Sequence, residues 1–250
     1  MYNKICFCIP ARYNSKRLDK KLLLNLCNKT CISLTIEQVL KSKFACSENI
    51  YIFTDSQLII DELANYNCNT VLTKGNYING SERISKNIAS IPDEYDIIVN
   101  IQADEPFISP INIDEAINKH INNNDQSIFY TTLHEENNSP EFLKSTASLK
   151  VVTDNHNNAL YYSRNIIPWN KNNMIDPKLK YKTFTGIYVY NRKSITMYSD
   201  LSNTNLQNVE DCEQLKILEH GFKIKTYPTI EYNEISLNTS EDYLFLCKKY

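Results

Sequence analysis

Several short segments place residues that do chemistry close together. In IPARYNSKRLDKK, Ile9–Lys21, an apolar run ends and Arg12, Lys16, Arg17, Lys20 and Lys21 follow within one polar stretch. Such a loop suits a polyphosphate, because each phosphate oxygen can take a charge-assisted hydrogen bond. Arginine contributes two-pronged contacts and lysine a point charge; a solvated basic loop would look the same by charge alone. In VNIQADEP, Val99–Pro106, a buried-looking run leads straight into Asp104 and Glu105. Carboxylates at that place can hold Mg²⁺ against phosphates, and an acidic turn is the plain alternative.

Three further segments carry both a structural and a functional reading. NGSERI, Asn79–Ile84, puts Ser81 where it could cap a helix with Glu82 in the first turn, and leaves Arg83 without an evident structural duty. LYYSRNIIPW, Leu160–Trp169, sets Arg164 after an apolar run and holds the single Trp beside a Pro, either as a site or as a hydrophobic wedge with a surface Arg. EDCEQL, Glu210–Leu215, reads as an acidic helix start, which the helix dipole by itself would favour. The glycine-rich P-loop and dinucleotide patterns are absent, and the four His at 120, 134, 156 and 220 do not cluster, so a metal hydrolase is poorly supported.

These segments need elements to position them. Apolar runs at Lys4–Ile9, Ile50–Phe53, Thr70–Leu72 and Ile97–Ile101 predict strands, the first ending at Pro10. Between them, helical spacing predicts helices over Ile32–Leu40 (Ser33 as N-cap), Ser56–Ala64, Ser81–Ala89 and Ile111–His120. Strands alternating with helices predict βαβ units, an α/β fold with a mostly parallel sheet, and ligands bind outside the carboxyl ends of such strands. The second half is less regular. Strands are predicted at Ser148–Val152, Leu160–Tyr162, Gly186–Tyr190 and Lys223–Thr226, and helices at Asn208–Leu218 and Ser240–Cys247. The polar stretch Asn170–Lys182 reads as a loop or excursion within one domain spanning 1–250.

Composition sets bounds. The 250 residues are 42% hydrophobic and 22% charged with a net charge of −2, which points to a globular chain and away from nucleic acid or an anionic membrane as partner. No apolar run reaches membrane-spanning length and no signal-peptide pattern opens the chain, so the expected location is the cytoplasm, with the 8 Cys as free thiols. Cys6 and Cys8 sit in the first apolar run and read as core. With Gly reduced to 4 residues, Gly80 and Gly186, both inside the segments above, are expected to be needed where they stand.

Taken in order, the segments resemble the 3-deoxy-manno-octulosonate cytidylyltransferase (CMP-Kdo synthetase) family. That family shows I-P-A-R-x-x-S-x-R-L-P-G-K-P-L, G-T-E-R, N-x-Q-G-D-E-P, K-V-V, Y-F-S-R-x-x-I-P, H-I-G-I-Y-x-Y, L-E-x-L-E-Q-L and V-D-T-x-E-D. Here stand IPARYNSKRLDKKLL, GSER, NIQADEP, LKVV, YYSRNIIPW, FTGIYVY, VEDCEQL and LNTSED, in the same order across nearly the whole chain. The S-R-x-x-I-P segment is the most specific of them. The resemblance implies a Rossmann-like nucleotidyltransferase fold with a small β excursion in the second half, about residues 140–200, that pairs two subunits into a homodimer. It implies a Mg²⁺-dependent cytidylyltransferase that joins CMP from CTP to the anomeric hydroxyl of a keto-sugar acid and releases pyrophosphate, for surface polysaccharide (lipopolysaccharide) synthesis. By the family's pattern, Arg12, Arg17 and Lys21 bind the phosphates, with Gln102 lining the nucleotide site. Asp104 holds the metal, and Lys21 and Asp104 together serve catalysis. Arg83, Arg164, Tyr188, Glu213 and Gln214 hold the sugar acid, Arg164 through its carboxylate.

The departures are specific. The family's second metal carboxylate falls on Asn238, whose carbonyl can ligate but brings no charge. Asp242, one turn later, reads as a capping partner of Thr239 and a poor substitute. The family's sugar-contacting His falls on Phe184, its P-G-K-P loop on Asp19-Lys20-Lys21-Leu22, and the Gly of Q-G-D-E-P on Ala103. They fit a working enzyme for an altered acid, such as an amino or deoxy octulosonate or nonulosonate, including a sialic type. They also fit a homologue that binds CTP and sugar with weakened catalysis.

Overall fold

The computed structural model describes residues 4–15, 17–172, 175–176, 178–232 and 235–250; Lys16 of the basic loop lies outside them. In chain order the strands are β1 (Ile5–Ala11), β2 (Asn25–Leu26), β3 (Lys29–Thr30), β4 (Ile50–Thr54), β5 (Asn69–Leu72), β6 (Ile97–Ile101), β7 (Ile128–Asn137), β8 (Lys150–Thr153), β9 (Ala159–Ser163), β10 (Tyr181–Phe184), β11 (Ile187–Asn191) and β12 (Lys223–Pro228). The helices are α1 (Cys31–Val39), α2 (Gln57–Glu62), α3 (Gly80–Lys86), α4 (Pro110–Ile121), α5 (Pro140–Lys144), α6 (Arg192–Tyr198), α7 (Asn205–Glu210), α8 (Glu213–Glu219) and α9 (Ser240–Lys249).

The strands form a ten-stranded mixed sheet in the order β5-β4-β1-β6-β11-β7-β10-β8-β9, with β12 against β7. The first-half strands β5, β4, β1 and β6 are parallel, as βαβ alternation requires. At β11 the sheet turns antiparallel, with Tyr188 opposite Asn100. The carboxyl ends of β1, β4 and β6 therefore share one edge, and Arg12, Asp55 and Gln102 follow them directly. One face of the sheet packs Phe7, Ile9, Ile52 and Val99 under α1 and α4. The other packs Cys6, Cys8, Phe53 and Ile98 among Ile84, Ile195 and Leu215 of α3, α6 and α8. Cys6 and Cys8 are fully buried, as expected, and all 8 Cys are free thiols. Among the described residues no helix is long and apolar enough to cross a membrane.

Several local expectations are corrected. β1 runs through Pro10 to Ala11 rather than ending before it, because pairing with β6 has stopped at Cys8 and the missing N–H leaves no rung empty there. Thr30, not Ser33, caps α1: its hydroxyl accepts from the Ser33 N–H. Asn79, not Ser81, caps α3, and the Ser81 hydroxyl is buried against the Tyr190 hydroxyl at 2.9 Å. The helix expected over Asn208–Leu218 is two helices, α7 and α8, because Asp211 takes a left-handed conformation (φ 48, ψ 55) between them. Tyr181 and Lys182 of the expected loop are strand; Asn173, Met174 and Pro177 of that stretch lie outside the described residues. The strand β7 has no counterpart in the expectations: Ile128–Glu135 is buried throughout, so it shows no alternation, and its polar His134 is satisfied by Thr226.

Candidate functional site

Two turns at the shared strand edge bring the basic loop and the carboxylate together. The loop after β1 closes through Lys20, at φ 49 and ψ 30, into a short turn beginning at Lys21. Lys20 stands where the resembling family has glycine, which alone adopts this region without steric cost. Lys21 Nζ forms an ion pair with Asp104, in the turn after β6. Lys21 also donates to Asn238 Oδ1 at 3.3 Å, and Arg17 Nη2 donates to the same oxygen at 2.9 Å. Arg17, Lys21, Asp104 and Asn238, spread over more than 200 positions, thus meet at one point. Arg12 is exposed immediately after β1.

Asn238 is held from its own backbone. Leu237 N donates to Asp104 O at 2.9 Å, and Asn238 N donates to Asp242 Oδ2 at 3.0 Å. Asp242 also completes the capping box with Thr239, so its carboxylate is spent on α9, as the sequence reading held. Among the described residues no group of three or more His, Cys, Asp or Glu converges on a metal position. The donor set that does converge is one carboxylate and one amide oxygen, and a cation, the Lys21 ammonium, is already held between them. Oxygen donors of this kind fit a hard divalent ion whose other positions are filled by phosphate oxygens and water.

Gln102 connects this point to the interior. Its N–H donates to Gly186 O at 3.1 Å and its amide donates to Asn100 Oδ1 at 3.1 Å; Asn100 Nδ2 reaches the Ser81 hydroxyl at 3.3 Å. Beyond Ser81 lies the Glu213 carboxyl, on a residue that is half-buried overall. Burial raises its pKa, against hydrogen bonds from Tyr188 and Ser81. Its Oε2 is buried with no hydrogen-bond partner among the described residues. Gln214 donates to the Tyr188 hydroxyl at 3.2 Å and accepts from the Cys212 thiol. Tyr188, Glu213 and Gln214 are therefore together, with Tyr188 and Gln214 buried and Glu213 half-buried. Phe184 is half-buried, its ring 5.1 Å from Tyr188 and 6.0 Å from Tyr162.

Arg164 and Arg83 are already occupied by protein groups. Arg164 follows β9 and donates to the carbonyls of Glu210 (3.0 Å), Thr146 (2.9 Å) and Asp211 (2.7 Å). Below it Lys150, with no exposed surface, donates to the carbonyls of Ser145, Ser148 and Arg164. Burial, then the Arg164 charge, brings the Lys150 pKa down to about 8. Arg83 has the structural duty that the sequence left unassigned: it donates to Thr73 Oγ1 at 2.7 Å and pairs with Asp55 at 3.0 Å. Burial opposes ionisation of Asp55, but the Tyr13 N–H and Arg83 outweigh it and hold its carboxyl below the usual range. Asp55 thereby ties Arg83 to the basic loop through Tyr13 N at 2.9 Å.

Sequence reasoning passed over Asp55, Lys150, Ser236 and the part played by Glu105. Asp55 carried a usable signal, a carboxylate just past a strand at the ligand-binding edge. Lys150 and Ser236 carried none, because their partners are backbone carbonyls and a residue 131 positions away. Glu105 is buried; burial and the neighbouring Asp104 charge push its pKa up to about 8. The two glycines are needed for close approach rather than for a turn. A Cβ on Gly80 would lie 2.7 Å from Pro10 Cγ, and one on Gly186 would lie 2.5 Å from Glu105 Oε1.

A family model described as cytidylyltransferase matches residues 6–224. The chain is 33% identical over 241 residues to the mitochondrial 3-deoxy-manno-octulosonate cytidylyltransferase of Arabidopsis thaliana, covering 96% of this chain and 81% of that protein. It is 34% identical over 246 residues to the 3-deoxy-manno-octulosonate cytidylyltransferase of Protochlamydia amoebophila, covering 97% and 92%. A solved structure of CMP:2-keto-3-deoxy-manno-octonic acid synthetase complexed with CTP matches with a TM-score of 0.86 at 26% identity, over 99% of this chain and 98% of that one.

Proposed function

The chain belongs to the 3-deoxy-manno-octulosonate cytidylyltransferase family, and from that premise we infer that it transfers CMP from CTP to the anomeric hydroxyl of 3-deoxy-manno-octulosonate. The sugar oxygen bonds to the α-phosphorus as the bond to pyrophosphate breaks, and the hydroxyl proton passes to solvent water. The observation that carries the reading is the meeting of Arg17, Lys21, Asp104 and Asn238 at the carboxyl edge of β1 and β6.

Little covalent help is needed from the protein for such a transfer; positioning and charge neutralisation do the work. Arg12, Arg17 and Lys21 take the triphosphate oxygens, and Lys21, released from Asp104, follows the charge that develops on the leaving group. Asp104 and Asn238 would hold Mg²⁺, which when bound would neutralise phosphate charge and favour loss of the hydroxyl proton. Gln102 fixes the turn that carries Asp104, through its bond to Gly186. Arg164 takes the sugar carboxylate, exchanging backbone carbonyls for a charged acceptor. Tyr188, Glu213 and Gln214 form the wall behind it. Arg83 supports the loop through Asp55. The same reading makes the protein a homodimer through residues 140–200, supported by the apolar groove that Pro140, Ile166, Ile175 and the exposed Trp169 line there.

Incubation with CTP, Mg²⁺ and 3-deoxy-manno-octulosonate tests the reading. Pyrophosphate and a CMP-sugar phosphodiester visible by phosphorus NMR are expected, with CTP preferred over UTP and ATP. No pyrophosphate with any 3-deoxy-2-ulosonic acid at millimolar Mg²⁺ or Mn²⁺ would refute it.

A further inference from the structure

Asp104 and Asn238 lie on separate segments, so something must set their separation. Asn238 belongs to the stretch before α9, which no strand of the sheet includes. Leu237 anchors it from below, buried with Leu26, Cys31, Leu34 and Leu246. Toward the site, two fastenings join it to the turn after β6. One is the Leu237 N–H to Asp104 O. The other is a side-chain bond: the Ser236 hydroxyl donates to Glu105 Oε1 at 2.6 Å.

Glu105 is itself held by a second neighbour. The Gly186 backbone lies against its carboxyl so closely that a Cβ would stand 2.5 Å from Oε1, 2.9 Å from Cγ and 3.0 Å from Cδ. Gly186 O also accepts from Gln102 N, so β11 braces both ends of the same turn. The Glu105 backbone is bonded at both ends as well, N to Gln102 O and O to Ile108 N. A carboxyl enclosed in this way costs desolvation, and a surface serine or a water would satisfy Ser236 at less expense. Its place is explained if its task is to hold Ser236 at a set distance.

We propose that Glu105 is a positioning residue for the transfer reaction: acting through Ser236, it sets where the Asn238 carbonyl stands relative to Asp104 and Lys21. The proposal rests on the reading of Asp104 and Asn238 as the metal-bearing pair. Because Asn238 supplies an amide oxygen instead of a charge, its contribution depends on distance and direction, and a loosened segment forfeits it.

The test uses the full chain with CTP and Mn²⁺ as the probe, read by electron paramagnetic resonance, beside pyrophosphate release and thermal unfolding. Glu105→Ala and Ser236→Ala are each expected to weaken Mn²⁺ binding to the CTP complex about five- to tenfold, about 1–1.4 kcal/mol at 1.4 kcal/mol per tenfold. The double variant is expected to be no weaker than either single one, since both break one bond. Glu105→Gln, whose amide oxygen can still accept from Ser236, is expected to stay within twofold of the unaltered protein. A purely structural Glu105 would lower the unfolding temperature and leave the Mn²⁺ affinity unchanged, and that result overturns the proposal; so do additive single effects. Should Glu105→Ala fail to fold, Ser236→Ala against Ser236→Thr, which keeps the hydroxyl, decides in the same way. A protein that binds Mn²⁺ with CTP but releases no pyrophosphate fails the reading of function and leaves this comparison intact; one that binds no Mn²⁺ overturns the proposal.

Discussion

Restoring a carboxylate at position 238 perturbs the site at its most unusual residue. At present Arg17 and Lys21 both donate to the uncharged Asn238 oxygen, at 2.9 and 3.3 Å, and Asp104 is paired with Lys21. Asn238→Asp adds a negative charge without changing shape. Unit charges 4 Å apart interact by about 1 kcal/mol in water and about 4 kcal/mol at an effective dielectric of 20. The Lys21 and Asp104 side chains are 12% and 20% exposed, so the site lies between these limits. A dication doubles the attraction, but the new carboxylate must share itself with Arg17 and Lys21, which removes roughly half. A net gain of about 1 kcal/mol remains at the lower end, or roughly fivefold in affinity. Pyrophosphate release followed against Mg²⁺ concentration, at saturating CTP and sugar, should show the half-saturating concentration falling about fivefold or more. Mn²⁺ binding by electron paramagnetic resonance should tighten in parallel, free of any effect on turnover. If both stay within twofold of the unaltered protein, Asn238 does not face the metal and its placement beside Asp104 has another purpose.

Other expectations follow from single contacts. Lys20→Gly removes a left-handed side chain at φ 49 and should stabilise the fold by about 0.5–1 kcal/mol, seen as a rise of roughly 1–3 °C in thermal unfolding. Arg83→Leu strips Asp55 and Thr73 of their partner and should cost about 2 kcal/mol in urea unfolding; the 32% exposure of the Asp55 side chain keeps it below a fully buried pair. Burial, helped by Lys182, holds the His134 pKa down to about 4, so its stabilising share is lost as pH falls from about 6.5, the usual unfolded value, toward 4. His134→Gln should accordingly lose about 2 kcal/mol less than the unaltered protein between pH 7 and pH 5, by urea unfolding at each pH.

The chemistry was legible where it is local in the chain. Arg12, Arg17 and Lys21 could be placed on a loop at the ligand-binding edge because they follow an apolar strand, and Asp104 on the turn after another, while their individual roles came from the resemblance. Thr239 and Asp242 were legible as a cap because the capping box is a four-residue pattern. The duty of Arg83 was not, since Asp55 and Thr73 come from two other loops. Glu213 and Gln214 were legible as a motif but not as partners packed against Tyr188. Asp211 breaks the expected helix just before them, and no propensity of EDCEQL announces a left-handed Asp.

By itself the sequence determined the alternation of strands and helices, the parallel half of the sheet and the edge at which ligands would bind. These depend on periodicity and on residues a few positions apart, where the chain's own geometry dictates the outcome. Only the tertiary structure decided that Asn238 meets Lys21 and Asp104, and that Ser236 fastens to Glu105 against a glycine with no room for a Cβ. It also decided that Arg164 rests on carbonyls of three other residues. Each of these joins segments far apart in the chain, and the distance between them is set by how the layers pack, which no local pattern encodes.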